Sequence, residues 1–250
     1  VNADYVKKNL DDVILIDARG EEEANKGTVK GATAIGWQNL ASVEEGASGD
    51  EKWGLVLEPK ELAKRLGEKG IAKDKEIVLF AGAQKGWGDD GRIAWELLAA
   101  GYKDVKMVDG GFAALKKAGL ETDIESTKLD PVDVTIDSID QTHIIRTDEL
   151  IKDYDEYKIV DVREDKEYEG DVLYGEAKGG HLPDAIHIPF TDLFNSNGKL
   201  KSKKDLTKLF EDAGLAKEDK IVTYCTAGIR SAYMELVMVM CGFLIGYNYD

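Results

Sequence analysis

The sequence predicts an α/β protein of two tandem domains, each a mainly parallel sheet with helices on both faces. Three observations carry this expectation. Short β-rich runs alternate with helical patterns along the chain of 250 residues. The pattern occurs twice: Asp17-Ala18-Arg19 after an apolar run returns as Asp161-Val162-Arg163, and the same spacing carries Gly70 to Gly214, Ala72 to Ala216, Lys73 to Lys217, Ile77 to Ile221 and Val78 to Val222. The stretch 121–141 matches neither copy, is acidic and contains Pro131, so it reads as a connector. The expected domains are therefore residues 1–120 and 142–250.

In the first copy, residues 13–17, 34–37, 77–80 and 106–108 read as strands. Residues 59–69 carry Leu62, Ala63 and Leu66 at helical spacing, and residues 93–100 form a second helix. In the second copy, 158–162, 185–188 and 221–224 are the strands, and Leu206, Leu209 and Phe210 mark the face of a helix before Gly214. Residues 232–240 are apolar nearly all round, so that helix is expected inside. Strands alternating with helices imply parallel pairing, and reactive residues of such sheets sit beyond the carboxyl ends of strands.

Charge excludes one class of partner. A net charge of −16 argues against nucleic acid, whose binding needs Lys and Arg to neutralise phosphates, and it requires a locally positive pocket for any anionic substrate. Two cysteines, Cys225 and Cys241, do not make a disulfide framework, and with the three histidines they show no metal-ligand spacing. Neither a metal nor a cofactor is expected. No apolar stretch approaches the ~20 residues of a membrane span, and no signal-peptide pattern is present. The cytoplasm is the expected compartment, with export left open because the chain starts at Val1 without an initiator Met.

The chemistry concentrates in Ile221-Val222-Thr223-Tyr224-Cys225-Thr226-Ala227-Gly228-Ile229-Arg230-Ser231. A β-branched run ends on a cysteine, a compact loop follows, and an apolar helix begins. Strand, tight loop and helix aim backbone N–H groups and a helix N-terminus at one point. A thiol there is biased towards thiolate, and Arg230 adds to the bias. The alternative is a small residue packed at a strand end, a common fate of free cysteine. Spacing separates two chemistries. Cysteine phosphatases place arginine six positions after the cysteine; here that position is Ser231, and Arg230 comes one place early. Cys241 lies ~16 Å along a helix that starts near Arg230, at 1.5 Å per residue. A disulfide needs Cα atoms within ~7 Å, so Cys241 reads as a core residue.

Three stretches together resemble the signatures of the rhodanese family of sulfurtransferases: Ile159-Val160-Asp161-Val162-Arg163, Gly180-His181-Leu182-Pro183-Asp184-Ala185-Ile186-His187-Ile188-Pro189, and the loop Cys225-Thr226-Ala227-Gly228-Ile229-Arg230. The resemblance covers both copies and the connector. It implies two tandem rhodanese-like domains, the second carrying the nucleophile and the first inactive. Ala81 stands at the first-copy position of Cys225, followed by a longer glycine-rich loop, 82–91, with Trp87. Family active sites lie at the domain interface, so this loop either lines the cleft or packs on the connector. In this reading Cys225 is catalytic. The backbone N–H groups of Thr226, Ala227, Gly228, Ile229 and Arg230 bind the donor and stabilise the persulfide. The Arg230 fork grips the anionic part of the donor, its alternative being a salt bridge to an acidic residue. Asp161 and Arg163 resemble a supporting charged pair near the loop. His181 is structural.

The resemblance implies covalent, two-step transfer. The Cys225 thiolate takes the outer sulfur of thiosulfate, sulfite leaves, and cyanide or a thiol then takes the sulfur from the persulfide. Two alternatives stand beside it: a 3-mercaptopyruvate donor, or a persulfide carrier or sensor that delivers sulfur to a protein partner. Thiosulfate-using rhodaneses often have two cationic residues in the loop; this one has Arg230 alone. Mercaptopyruvate-using relatives favour a loop resembling Cys-Gly-Ser-Gly and an arginine a few residues beyond the D-x-R signature, where 164–169 holds Lys166 and no arginine. Thiosulfate is the expected donor. Finally, the first copy runs past Asp109 into Gly110-Gly111 and a short helix with Phe112 and Leu115, whereas the second copy stops at the matching Asp250, so its last helix is expected to be missing.

Overall fold

The computed structural model describes residues 1–44, 46–47, 50 and 52–249; Asp250, the end point of the copy comparison, lies outside the described residues. The chain forms two compact units. One comprises Val1–Ser42, Val56–Asp140 and Asn197–Lys199, the other Val43–Leu55, Gln141–Ser196 and Leu200–Asp250. No helix among the described residues is long and apolar enough to cross a membrane.

The elements of the first unit run α1 (Ala3–Asn9), β1 (Val13–Asp17), α2 (Glu21–Ala24), β2 (Thr28–Val29), β3 (Thr33–Ala34), α3 (Pro59–Glu68), β4 (Glu76–Phe80), α4 (Asp89–Ala99), β5 (Val105–Met107), α5 (Gly111–Lys117) and β6 (Thr122–Asp123). Strand order is β3-β1-β4-β5, with every pair parallel. The central strands are nearly continuous apolar runs because both faces are covered. Leu15, Val78 and Phe80 face one way and join Val6 of α1 and Leu115 of α5 in a core cluster. Strand alternation sends the equally buried Ile16, Ile77 and Leu79 to the other face. Burial of each such side chain stabilises the unit by roughly 1.5–3 kcal/mol.

Residues 121–140 of the connector lie along this first unit. β6 pairs antiparallel with β2. Further on, the N–H groups of Thr127, Val132 and Asp140 donate to the carbonyls of Ala32, Gly67 and Ala99 at 2.7, 3.0 and 2.8 Å.

The second unit repeats the plan with α6 (Thr147–Lys152), β7 (Tyr157–Asp161), α7 (Asp165–Glu169), β8 (Ile186–His187), α8 (Lys203–Asp212), β9 (Lys220–Tyr224), α9 (Ile229–Cys241) and β10 (Gly246–Tyr249). Its parallel sheet has the order β10-β9-β7-β8. Ile159, Val222 and Tyr224 pack with Ile145 and Leu150 on one face.

The structure departs from the sequence reading at element ends, for local reasons. Residues 34–37 are not one strand: β3 stops at Ala34, and Trp37–Asn39 turn into a 3₁₀ helix whose Asn39 Oδ1 accepts the Gly36 N–H at 2.9 Å. β8 is shorter than 185–188; Pro189, one place beyond, has no N–H to extend a ladder. Helix α4 starts four residues before Ile93, its first large apolar residue, because Gly88 caps it in the left-handed conformation; α9 opens at Ile229 behind Gly228, within a residue of the expected start. Helices α1 and α6 and strand β10 have no counterpart in the sequence reading.

Candidate active site

Cys225 is the first residue beyond β9, whose last residue, Tyr224, stands in register with Asp161 at the end of β7. Thr226 and Ala227 cross to Gly228, which caps α9 at φ 69°, ψ 8°. A residue with a Cβ is strained there, so glycine lets the chain turn from strand into helix within the space of a thiol. The half-buried Cys225 Sγ faces the backbone N–H groups of Ser231 and Ala227, with Ser231 Oγ at 3.5 Å. Burial alone would raise the thiol pKa. The Arg230 guanidinium and the hydrogen bonds from Ser231 and Ala227 outweigh it and hold the thiol below the ordinary cysteine range. The resting group is biased to thiolate, the nucleophilic form.

The loop is braced from behind. Thr223 Oγ1 donates to the Ser231 carbonyl at 3.1 Å. The buried Asn248 of β10 donates from Nδ2 to the Gly228 carbonyl at 3.2 Å.

Arg230 is buried and held by an acid. Its Nη1 and Nη2 donate to Glu167 Oε2 and Oε1 at 2.6 and 2.8 Å. Thr226 Oγ1 bridges the same group, 2.9 Å from Glu167 Oε1, and also reaches Glu176 Oε1 at 3.2 Å. The Tyr174 ring lies over the guanidinium, 5.7 Å from centroid to carbon. Burial pushes the Glu167 pKa up, but the Arg230 hydrogen bond and charge, with the Glu164 N–H and Thr226 hydroxyl, bring it down to about 2. Both members of the pair stay ionised at neutral pH.

Of the residues singled out in the sequence, Ala227 and Arg230 meet at Sγ, Gly228 shapes the turn, Thr226 joins the Glu167 cluster, and Ile229 opens the helix half-buried. Ser231, Glu167, Glu176 and Asn248 are additions from the structure. Ser231 was within reach as the loop's next residue; Glu167 carries only a weak signal, the Glu164–Glu167 spacing of a helix start.

Asp161 and Arg163 form a buried two-pronged pair at 2.9 and 2.6 Å, and Arg163 Nη2 also donates to the Gly180 carbonyl at 2.7 Å. Tyr224 Oη donates to Asp161 Oδ2 at 2.6 Å and accepts the Leu182 N–H at 3.0 Å, which ties the Gly180–His181–Leu182 stretch to the end of β9. His181 stacks on Tyr168 with centroids 3.8 Å apart and lies 2.8 Å from the Tyr168 carbonyl through Nδ1. His187 stacks on the same ring at 4.2 Å. Cys241 is buried and its thiol is pushed up by burial. Among the described residues, no group of three or more His, Cys, Asp or Glu could hold a metal ion.

A model of the rhodanese-like domain matches residues 2–118 and again 146–250. The chain belongs to the rhodanese-like family. Family membership accounts for the doubled α/β plan. The "Putative thiosulfate sulfurtransferase" of Mycobacterium leprae is 26% identical over 261 residues, covering 100% of this chain and 91% of that protein. The sulfur carrier protein TtuD of Thermus thermophilus is 26% identical over 273 residues, covering 100% of this chain and 90% of that one. In fold, the chain is similar to the 3-mercaptopyruvate sulfotransferase SseA of Escherichia coli, with a TM-score of 0.84 at 20% identity over 100% of this chain and 97% of that one.

Proposed function

We propose that this rhodanese-family chain is a sulfurtransferase that moves a sulfane sulfur from thiosulfate to cyanide or a thiol through a persulfide on Cys225. The observation that carries the reading is the thiol itself: half-buried, at the mouth of a helix N-terminus, faced by two backbone N–H groups and by Arg230. Relatives named for thiosulfate transfer and for sulfur carriage, alike along the whole chain, support the reaction class. The thiolate attacks the outer sulfur of the donor, the donor S–S bond breaks, and its electron pair leaves with sulfite. The persulfide anion then lies where the Ala227 and Ser231 N–H groups already point, so little reorganisation accompanies charge transfer. The first unit has no thiol to offer, with Ala81 at the matching position. Mass spectrometry after thiosulfate treatment tests the proposal. One added sulfur is expected on the peptide containing Cys225 and none in Cys225→Ser; sulfur on Cys241, or full turnover in Cys225→Ser, would overturn it.

A second reading, delivery of the sulfur to a protein acceptor, is favoured by one feature. Val172, Leu173 and Tyr174 are exposed, and Tyr174 covers Arg230 of the reactive loop. A small acceptor has no use for an apolar surface there.

A further inference from the structure

We infer that Glu167 is a specificity-determining residue that sets how much negative charge a sulfur donor can bring to Cys225. The inference rests on Cys225 as the persulfide-forming nucleophile and concerns the donor's charge. Among the described residues, Arg230 is the cation paired with both Cys225 and Glu167. Arg230 faces the Cys225 sulfur and is at the same time gripped through both terminal nitrogens by Glu167, at 2.6 and 2.8 Å. The guanidinium is 6% exposed and the carboxylate 0%, so solvent screens neither.

A second carboxylate stands behind the first. Half-buried Glu176 accepts the N–H groups of Leu173 and Tyr174 through Oε2, at 3.0 and 2.8 Å, and its Oε1 lies 3.2 Å from Thr226 Oγ1. The Thr226 hydroxyl has one proton, and Glu167 Oε1 at 2.9 Å competes for it. The loop thus meets its donor with one guanidinium against two carboxylates and a thiolate. A dianionic donor adds two negative charges to this set, and a monoanionic donor adds one. Glu167 therefore penalises thiosulfate more than a donor of the same sulfane chemistry with a single charge.

The transfer itself leaves net charge unchanged in either case. Thiolate and thiosulfate become persulfide and sulfite; thiolate and a thiosulfonate become persulfide and a sulfinate. The discrimination lies in bringing the donor in, which isolates the electrostatic effect.

The experiment uses the full chain and two donors, thiosulfate (dianion) and methanethiosulfonate (monoanion), at fixed ionic strength. Second-order rate constants for persulfide formation on Cys225 are measured for the wild type, Glu167→Gln and Glu176→Gln. The readout is the ratio of the thiosulfate constant to the thiosulfonate constant. It is expected to rise at least about tenfold in Glu167→Gln, equivalent to ~1.4 kcal/mol, and about threefold in Glu176→Gln, whose charge lies farther from Arg230. Equal losses with both donors, leaving the ratio within about twofold of wild type in Glu167→Gln, would mean that Glu167 only holds the loop in shape, and would overturn the inference. If Glu167→Gln does not fold by circular dichroism, Glu176→Gln decides alone: a raised ratio supports the charge filter and an unchanged one overturns it. A wild-type Cys225 that takes sulfur from neither donor would refute the functional reading and the charge filter with it.

Discussion

The two units carry the same strand-loop-helix corner and fill it with opposite chemistry. In both, a central strand ends beside the carboxylate of a D-x-R pair, and a glycine in the left-handed conformation caps the next helix: Gly88 at φ 80° and Gly228 at φ 69°. The second loop crosses from Cys225 to its cap at once. The first takes 81–88, with a 3₁₀ turn at Ala83–Lys85 and an exposed Trp87. The second helix opens with Arg230 paired across the fold to Glu167; the first opens with Asp89 and Asp90, and its buried Arg92 turns to Glu96 four residues along the same helix at 3.1 Å. By contrast, the D-x-R pairs match. Arg19 donates to Asp17 at 2.8 and 2.5 Å and to the Gly27 carbonyl at 2.7 Å, as Arg163 does with Asp161 and Gly180. What both corners share therefore serves the fold, and what only one has is the candidate chemistry.

The most severe way to break this comparison is to move the nucleophile. Cys225→Ser is expected to lower sulfur transfer by at least about a thousandfold, and adding Ala81→Cys to it is expected to restore nothing. The helix that follows position 81 opens with Asp89 and Asp90 where the second unit has Arg230, and acidic groups at that start do not favour a thiolate. Sulfur incorporation at position 81, seen by mass spectrometry of digested protein, would show that the corner alone suffices and that the first loop's residues are incidental.

The parts of this contrast that were legible in the sequence are those written within a few adjacent residues. The apolar runs, the D-x-R strings and the cysteine after a strand are local, and the structure places them at sheet centres and strand ends. The partners that complete the site are distant: Glu167 and Arg230 are 63 residues apart, and Asn248 and Gly228 are 20 apart. Strand β10 reads poorly because Asn and Gly are rare in strands; its place comes from pairing with β9. The start of α4 was misjudged by reading from Ile93, whereas its cap is Gly88 and its first turn is charged.

If the D-x-R pair is a fold device, it should matter alike in both units. Asp161→Asn leaves the buried Arg163 without its carboxylate, at a cost of ~3–5 kcal/mol, and Asp17→Asn does the same to the half-buried Arg19, at a cost towards the lower end of that range. Asp161→Asn is expected to cost somewhat more, because Arg163 is 5% exposed against 15% for Arg19, and because Tyr224 also leans on Asp161. Urea unfolding followed by circular dichroism measures both. A loss in the second unit alone would make the pair part of the chemistry instead.

A smaller effect belongs to the cation that only the second corner aims at a thiol. Arg230→Ala removes a charge-assisted contact of ~1.5–3 kcal/mol, so kcat/KM for thiosulfate should fall roughly 10–150-fold. Since Arg230 also helps hold the thiol below its ordinary range, the pH midpoint of Cys225 alkylation should move up in the same variant. An unmoved midpoint would leave the Ser231 hydroxyl and the Ser231 and Ala227 N–H groups as the source of the lowered pKa.

The smallest expected effect sharpens the comparison from the inactive side. Carboxylates in a first helical turn normally gain from the helix dipole, by ~0.3–1 kcal/mol. Burial overrides this at α4: it pushes Asp90 up to about 7, with the Asp89 charge adding to the rise, and pushes Asp89 up to about 6. A folded pKa above the unfolded one means that the folded state holds its proton more tightly. The contribution to stability is then fully present below the unfolded value of ~3.9 and is lost progressively as pH rises to about 7. Asp90→Asn keeps an oxygen for the Gly91 N–H, which Asp90 Oδ1 accepts at 3.1 Å, and removes the charge. The variant should therefore gain on the wild type as pH climbs from 4 to 7 and hold a steady advantage above that, about 1 kcal/mol or more, or ~4 °C in the melting temperature of the first unit. Some pH dependence should persist in the variant, because Asp89 titrates in the same window. At the matching corner of the other unit the shift runs the opposite way: Arg230 and the Ser231 and Ala227 hydrogen bonds overcome burial and lower the Cys225 pKa. Melting curves at pH 5 and pH 8 decide the point. A variant no more stable than wild type at pH 8 would mean that Asp90 keeps its charge at no cost, and that the two helix starts differ in sequence but not in electrostatic strain.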